Sequence, residues 1–203
     1  MLPNFSKLIL ASILLLFSSY SFACDETIAV QGDLEWQLIT PPCNMLISVD
    51  AQFTDLFGPR GSGWEVYAFN SILGEYTKTN FFGQAEGIWF TQSGPATTVR
   101  FQGVEVTAPV QKLIFGTRVW SMLGNPFLEP LSIPGDMSWR LDGAFETLVN
   151  PDIRLVVYRD EAYEQLSSPA QIEVGEGFFT GTVAEFDTAT VNMGRIGPPP
   201  PPF

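Results

Sequence analysis

The sequence predicts an all-β protein: an antiparallel β-sandwich, jelly-roll-like, with at most one short helix. Short runs of β-branched and aromatic residues alternate with polar residues along most of the chain. The 18 glycines and 16 prolines separate these runs at short intervals. No long segment keeps an apolar stripe at helical spacing, so closely spaced strands of a sandwich or barrel are the expected elements.

The first 23 residues have the features of a secretory signal peptide. Lys7 precedes an apolar stretch over residues 8–17, and the small residue Ala23 fits a cleavage site before Cys24. The apolar stretch is too short to span a bilayer comfortably. We therefore expect a secreted or periplasmic protein whose mature chain begins at Cys24 and has no transmembrane span.

Cys24 and Cys43 are the only two cysteines, and both follow the predicted cleavage site. An even pair in an exported protein favours a disulfide. Such a bond closes a loop of about twenty residues and contributes about 3 kcal/mol in the chain-entropy model. The alternative is a cell-envelope lipoprotein anchored through Cys24. Bulky Phe22 stands where a lipoprotein signal has a small residue, so the disulfide is favoured.

Alternation of apolar and polar residues predicts the strands in order. Strands are expected over residues 33–39 and 45–53, on either side of the Pro41-Pro42 turn. Trp36 and Trp64 share the apolar face of their predicted strands, so both are expected inside the core. The remaining predicted strands are 64–70, 86–92, 97–107, 110–120, 137–141, 153–159, 171–174 and 178–186.

Three segments are expected to lie outside the strands. Residues 160–166 predict a helical turn, because acidic residues stand at its start. Residues 123–135 contain three prolines and predict a long crossover between two sheets of one domain. Residues 197–203 contain five consecutive prolines and predict a polyproline II tail, which either docks on an aromatic groove or stays free. The single sandwich domain is expected to cover residues 24–196.

One internal similarity bears on domain organisation. Asn80–Gly83 resembles Gly177–Gly181, since both contain adjacent phenylalanines beside glycine. The match is too short to establish a repeat period. We expect it to reflect the common composition of aromatic strands rather than a duplication.

Composition excludes several classes of function. The chain has no histidine, which removes imidazole general bases, Ser-His-Asp triads and histidine metal ligands. Two cysteines cannot form an all-cysteine zinc site, so neither a metal nor another cofactor is expected. Twenty-two acidic residues against 10 basic ones give a formal net charge of −12, which disfavours nucleic-acid binding.

Glycoside hydrolysis needs only two carboxylates, so it survives the absence of histidine. No pair of acidic residues has a spacing that demands a shared site, and solvent-facing strand positions commonly carry glutamate. This activity is therefore the alternative function rather than the favoured one. The candidate carboxylates are Glu65, Glu86, Glu105, Glu173 and Glu185.

Adjacent aromatic residues within strands supply the candidate ligand-binding surface. Neighbouring residues on a strand point to opposite faces, so one ring of each pair is expected to face outward. Outward rings gathered on one sheet would stack against a carbohydrate or contact another envelope or extracellular protein. The favoured function is an exported, non-catalytic binding or structural module. The candidate stacking residues are Phe81, Phe82, Trp89, Phe90, Phe178 and Phe179.

Overall fold

The computed structural model describes residues 24–115, 120–141, 153–182 and 188–194. These residues form antiparallel sheets and one short helix, so the predicted all-β, sandwich-like fold is confirmed. Within these ranges no helix has the length and apolar character needed to cross a membrane. The predicted signal peptide and the proline-rich tail lie outside the described residues, as do the predicted domain boundaries.

The first half of the chain forms two antiparallel sheets and the helix. One sheet has the strand order β2-β6-β4-β5 and the other the order β1-β7-β3. The elements are β1 (Cys24–Val30), β2 (Gln37–Ile39), β3 (Asn44–Met45), α1 (Val49–Phe57), β4 (Trp64–Asn70), β5 (Glu75–Lys78), β6 (Ile88–Gln92) and β7 (Thr97–Val104).

The second half forms a four-stranded sheet in the order β13-β12-β15-β9 and a three-stranded sheet in the order β11-β16-β8. A further two-stranded sheet pairs β10 with β14, so the connection predicted over residues 123–135 contains a short strand. The elements are β8 (Val110–Phe115), β9 (Ser121–Gly124), β10 (Leu131–Ile133), β11 (Met137–Leu141), β12 (Ile153–Arg159), β13 (Ala162–Leu166), β14 (Ala170–Ile172), β15 (Gly177–Thr182) and β16 (Thr188–Met193).

The two halves repeat one topology. Strands β2, β4, β5 and β6 occupy the same places in their sheet as β9, β12, β13 and β15, in the same chain order. Likewise β1, β3 and β7 correspond to β8, β11 and β16. Among the described residues, the β10–β14 pair and helix α1 have no counterpart in the other half. The described part of the chain is therefore a tandem structural repeat, which the likeness between Asn80–Gly83 and Gly177–Gly181 did not reveal.

The sequence supports this repeat once the strands are superposed in order. Glu86-Gly87 at the start of β6 matches Glu176-Gly177 at the start of β15. The residue before each pair, Ala85 or Gly175, has a positive φ of 54° or 75°. The Asp50, Phe53 and Leu56 positions recur 92 residues later as Asp142, Phe145 and Leu148. Asn80–Gly83 and Gly177–Gly181, the two segments that resemble each other in sequence, therefore do not occupy equivalent positions in the two halves.

Helix α1 replaces the strand predicted over residues 45–53. The Oγ atom of Ser48 accepts a hydrogen bond from the Ala51 N–H at 3.2 Å, which caps the helix N-terminus. Val49, Gln52 and Phe53 are buried at helical spacing. The apolar residues 49, 51 and 53 also alternate with polar residues as in a strand. The sequence pattern therefore predicts a strand where the structure has a helix.

The helical turn predicted over residues 160–166 is a β-hairpin. Arg159 pairs with Ala162, so Asp160 and Glu161 form a two-residue connection between β12 and β13. Both residues have positive φ, 48° and 61°, as a type I′ turn requires. The two acidic residues therefore terminate a strand and do not begin a helix.

Each half has its own hydrophobic core between its two main sheets. Phe53, Phe90 and Phe101 are among the fully buried side chains of the first core. Met137, Trp139 and Phe178 belong to the second core. The predicted disulfide is present and joins Cys24 to Cys43, with a Cα–Cα distance of 5.8 Å, at the edge of the first core. The sulfur that lipidation of Cys24 would require is engaged in this bond.

Candidate functional site

The two four-stranded sheets meet through reciprocal backbone contacts. The Thr40 N–H donates to the Gly175 carbonyl at 2.8 Å, and the Gly124 N–H donates to the Ala85 carbonyl at 3.2 Å. Thr40 directly follows β2, and its equivalent Gly124 is the last residue of β9. Ala85 is the equivalent of Gly175. Each half therefore donates one backbone hydrogen bond to the other half and accepts the equivalent bond from it, as two subunits do in an isologous dimer.

A third group of buried side chains fills this junction. Leu38 and Trp89 come from the first half, and Met122 and Phe179 come from the equivalent positions of the second. The Trp89 and Phe179 ring centroids are 6.2 Å apart. These residues lie on the faces of the four-stranded sheets that point away from the two main cores. The junction thus turns the outer faces of the two sheets toward each other.

Two aromatic clefts open on either side of this junction. The Trp36 cleft has a volume of about 510 Å³ and is lined by Trp36, Tyr67, Tyr76, Trp89, Tyr158 and Tyr163. The Trp120 cleft has a volume of about 370 Å³ and is lined by Phe69, Tyr76, Trp120, Val156, Tyr163 and Phe179.

The two clefts are equivalent under the internal repeat. Trp36 corresponds to Trp120 and Trp89 to Phe179, while Tyr76 and Tyr163 exchange places and belong to both clefts. The strand positions of Tyr67 and Phe69 on β4 correspond to Val156 and Tyr158 on β12. Every residue of one cleft therefore has its counterpart in the other, and the equivalence includes nine aromatic residues and one valine.

The rings of the clefts are tilted against one another and do not form a flat platform. Trp89 meets Tyr158 at a centroid distance of 5.0 Å and an angle of 76°. Tyr158 meets Tyr163 at 5.1 Å and 65°, and Phe69 meets Tyr76 at 5.2 Å and 58°. Such edge-to-face contacts fix the rings in place. The clefts are consequently ordered apolar channels.

Several rings keep much of their surface open to solvent. Trp36 and Trp120 are 43% and 42% exposed, so the equivalent residues of the two halves have the same accessibility. Tyr76 and Tyr163 are also exposed. Contiguous exposed aromatic surface of this kind marks interaction sites in monomeric proteins. The prediction that Trp36 lies inside the core is wrong, because Trp36 precedes β2 and faces the junction, whereas Trp64 is buried as predicted.

The structure separates the six candidate stacking residues. Trp89 and Phe179 come together at the junction, and each lines one cleft. Their strand neighbours Phe90 and Phe178 are fully buried in the two main cores, on the opposite faces of β6 and β15. Phe82 packs partly buried against the first core, and Phe81 is 72% exposed outside both clefts.

Sequence reasoning missed most of the rings that line the clefts. Tyr67 and Phe69 lie at the outward parity of β4, and Tyr158 lies at that of β12. Aromatic residues at outward positions of two matching strands were the signal that could have found them. The helical turn predicted over residues 160–166 does not place Tyr163 in a sheet. The hairpin β12–β13 brings Tyr163 beside Tyr158.

A polar cavity of about 590 Å³ adjoins the Trp36 cleft and shares Trp36 and Tyr158 with it. It also contains Arg159, whose guanidinium binds both carboxylate oxygens of Glu176 at 2.6 and 2.7 Å. This bonding to Glu176 raises the pKa of Arg159. The carboxylates of this cavity, which we call the acidic rim, are Glu35, Asp160 and Glu161.

The candidate hydrolytic carboxylates do not line the aromatic clefts. Glu65 binds Lys78, with an Oε1–Nζ distance of 2.7 Å. Glu105 lies in a separate cavity of about 500 Å³ with Glu129 and Asp136, where the described lining contains no tryptophan or tyrosine. Among the described residues, no carboxylate lines either cleft and no group of acidic or cysteine residues could hold a metal ion. Glu185 lies outside the described residues.

Tyr163 has a perturbed acidity. Partial burial of the phenol raises the pKa of Tyr163, and the neighbouring Tyr76 and Tyr158 raise it further. The folded protein therefore holds this proton more tightly than the unfolded chain does. Folding stability from this group is fully present below the ordinary tyrosine pKa and is lost as pH rises toward the folded value.

We expect a spectrophotometric titration at 295 nm to show one tyrosine ionising above the ordinary range. Tyr163→Phe should remove this late transition while leaving the rest of the titration in place. If the late transition persists in Tyr163→Phe, the assignment of the raised pKa to Tyr163 is wrong.

Comparison of the chain with protein-family models, curated proteins and solved structures finds no match.

Proposed function

We propose that the protein is an exported, non-catalytic binding module that holds an extended protein segment in its aromatic clefts. The observation that carries this proposal is the equivalence of the two clefts. Partly exposed aromatic rings recur at matching positions in two halves whose sequences otherwise differ widely. Exposed rings such as Trp36 and Trp120 contribute less to folding than buried ones, so their recurrence supports a binding role.

The chemistry of the clefts favours a protein segment over a carbohydrate. Sugar stacking needs a flat aromatic platform, with polar groups that satisfy the many sugar hydroxyls. The rings here are steeply tilted, and their only side-chain polar groups are tyrosine hydroxyls and indole N–H groups. An open cleft lined by aromatic rings matches an extended segment with small apolar rings, above all a proline-rich one.

The described lining of the two clefts contains no carboxylate, which supports binding without turnover. A glycoside hydrolase requires two carboxylates on either side of a sugar-binding cleft. The acidic rim lies beside the Trp36 cleft, and Glu105 lies in another cavity without tryptophan or tyrosine in its described lining. Glycoside hydrolysis therefore remains the alternative, and release of reducing sugar from a soluble polysaccharide would favour it.

Export is part of the proposal. The predicted signal peptide and the disulfide support an oxidising compartment outside the cytoplasm. The intact mass of protein purified from its native host should match residues 24–203 with one disulfide. Retention of residues 1–23, or acyl chains on Cys24, would contradict this part of the proposal.

A calorimetric titration with a hexaproline peptide tests the binding function. Tyr76 and Tyr163 line both clefts, so the double variant Tyr76→Ala/Tyr163→Ala should weaken binding at least about ten-fold, which is 1.4 kcal/mol. Phe81→Ala is the matched control, because Phe81 is an exposed aromatic residue outside both clefts. Equal affinity of the double variant and the control, or binding only to polysaccharides, would contradict the proposal.

A further inference from the structure

We infer that the proline-rich segment at residues 197–203 folds back and occupies the Trp36 cleft of its own chain. This inference rests on the proposed binding function of the cleft and names its occupant. The segment contains Pro198 to Pro202 followed by Phe203. Five consecutive prolines favour a polyproline II conformation, which loses little conformational entropy when it binds.

The chemistry of the segment matches that of the cleft. Aromatic-lined grooves are the surfaces that recognise polyproline II segments, because proline rings pack between the planes of tyrosine and tryptophan. The Trp36 cleft presents one channel lined by two tryptophans and four tyrosines. The terminal Phe203 adds a further aromatic group to the segment.

Charge complementarity distinguishes the Trp36 cleft from its equivalent. Arg195 stands three residues before the first proline of the segment. The acidic rim beside the Trp36 cleft carries Glu35, Asp160 and Glu161, whereas the one cation of that cavity, Arg159, is already bound by Glu176. At the matching hairpin turn of the first half, exposed Ile72 and Leu73 replace the two acidic turn residues. A cationic residue before the prolines is therefore expected to select the Trp36 cleft.

The position of Gly194 permits binding within one chain. Gly194 follows β16 and packs against Phe127. Two residues before Phe127, the Asn125 N–H donates to the Glu176 carbonyl at 3.0 Å, and the Glu176 carboxylate binds Arg159 in the polar cavity beside the cleft. Residues 195–203 extend about 28 Å in the polyproline II conformation. This length is the reach of the segment from Gly194 toward the acidic rim.

A competition experiment on the full chain tests the inference. The probe is a fluorescent peptide with the sequence of residues 194–203. In the tail variant, Pro198 to Pro202 are each replaced by serine, so the cleft is left open to the probe. We expect the tail variant to bind the probe at least about ten-fold more tightly than the unchanged chain, because the intact segment competes with the probe. Both chains should remain monomeric in analytical ultracentrifugation.

The internal repeat supplies a matched control for the site. In the tail variant, Trp36→Ala should weaken probe binding at least about ten-fold, which is more than Trp120→Ala does at the equivalent position. Phe81→Ala, which lies outside both clefts, should leave probe binding unchanged. A probe with Arg195→Glu should bind several-fold more weakly because it meets the acidic rim. Circular dichroism of both tryptophan variants checks that the fold is retained.

Three results would overturn the inference. They are equal probe affinity of the unchanged chain and the tail variant, equal effects of Trp36→Ala and Trp120→Ala, and a dimer that forms only with the intact tail. Each of these is separate from the hexaproline titration above. If hexaproline binding still requires Tyr76 and Tyr163, the binding function stands although the tail is not the occupant.

Discussion

Phe53→Ala is expected to destabilise the protein by about 3–5 kcal/mol, the range typical of a fully buried phenylalanine. The Phe53 ring is fully buried and is the centre of the first core. Its centroid lies 4.7 Å from that of Phe90 and 5.2 Å from that of Trp64. It also contacts the rings of Phe57, Phe82 and Phe101. Alanine would therefore leave a cavity among five aromatic rings, which cannot all move to fill it.

Urea unfolding followed by circular dichroism measures this effect. Phe81→Ala is the control, since it removes the same side chain from an exposed position, and surface changes of this kind shift stability by about 0.5 kcal/mol or less. A loss below about 1 kcal/mol for Phe53→Ala would show that the packing of helix α1 against the first core is wrong.

The second large effect is expected on removal of the disulfide. The double variant Cys24→Ala/Cys43→Ala should lose about 3 kcal/mol of unfolding free energy, because the unfolded chain is no longer restricted by a closed loop of about twenty residues. Both cysteines are buried, at 0% and 3% exposure, so the lost packing adds to this effect.

Denaturant unfolding of the double variant, beside the unchanged chain with and without a reducing agent, provides the measurement. The reduced chain should approach the stability of the double variant. Unchanged stability on reduction, together with a free thiol at Cys43 in the native protein, would contradict the bond.

The sequence predicts the fold class because the strand pattern is local. Strands β4, β6, β11 and β12 follow the predicted segments within a few residues, since each is a short apolar run next to glycine, proline or asparagine. Strands β4 and β12 also alternate buried and partly exposed residues. Helix α1 was missed because residues 49, 51 and 53 satisfy two periods at once. The hairpin at Asp160 was missed because acidic residues suit both a helix start and a type I′ turn.

The candidate site was harder to predict because it depends on contacts between the two halves. Adjacent residues on one strand were correctly expected to face opposite sides, and Trp89 and Phe179 do meet across the junction. The sequence alone does not show which side of each sheet faces the other half. The strand pattern therefore predicts Trp36 in the core and gives no signal for Tyr76 and Tyr163, although these two tyrosines line both clefts.

The internal repeat has a consequence for how such a protein can diversify. Two identical subunits related by a two-fold axis must carry identical sites, so any change at one site appears at the other. Joining the two units in one polypeptide removes this constraint. The hairpin turn of one unit carries Asp160 and Glu161, while that of the other carries Ile72 and Leu73. The fused chain can thus keep one architecture while the surroundings of its two clefts diverge independently.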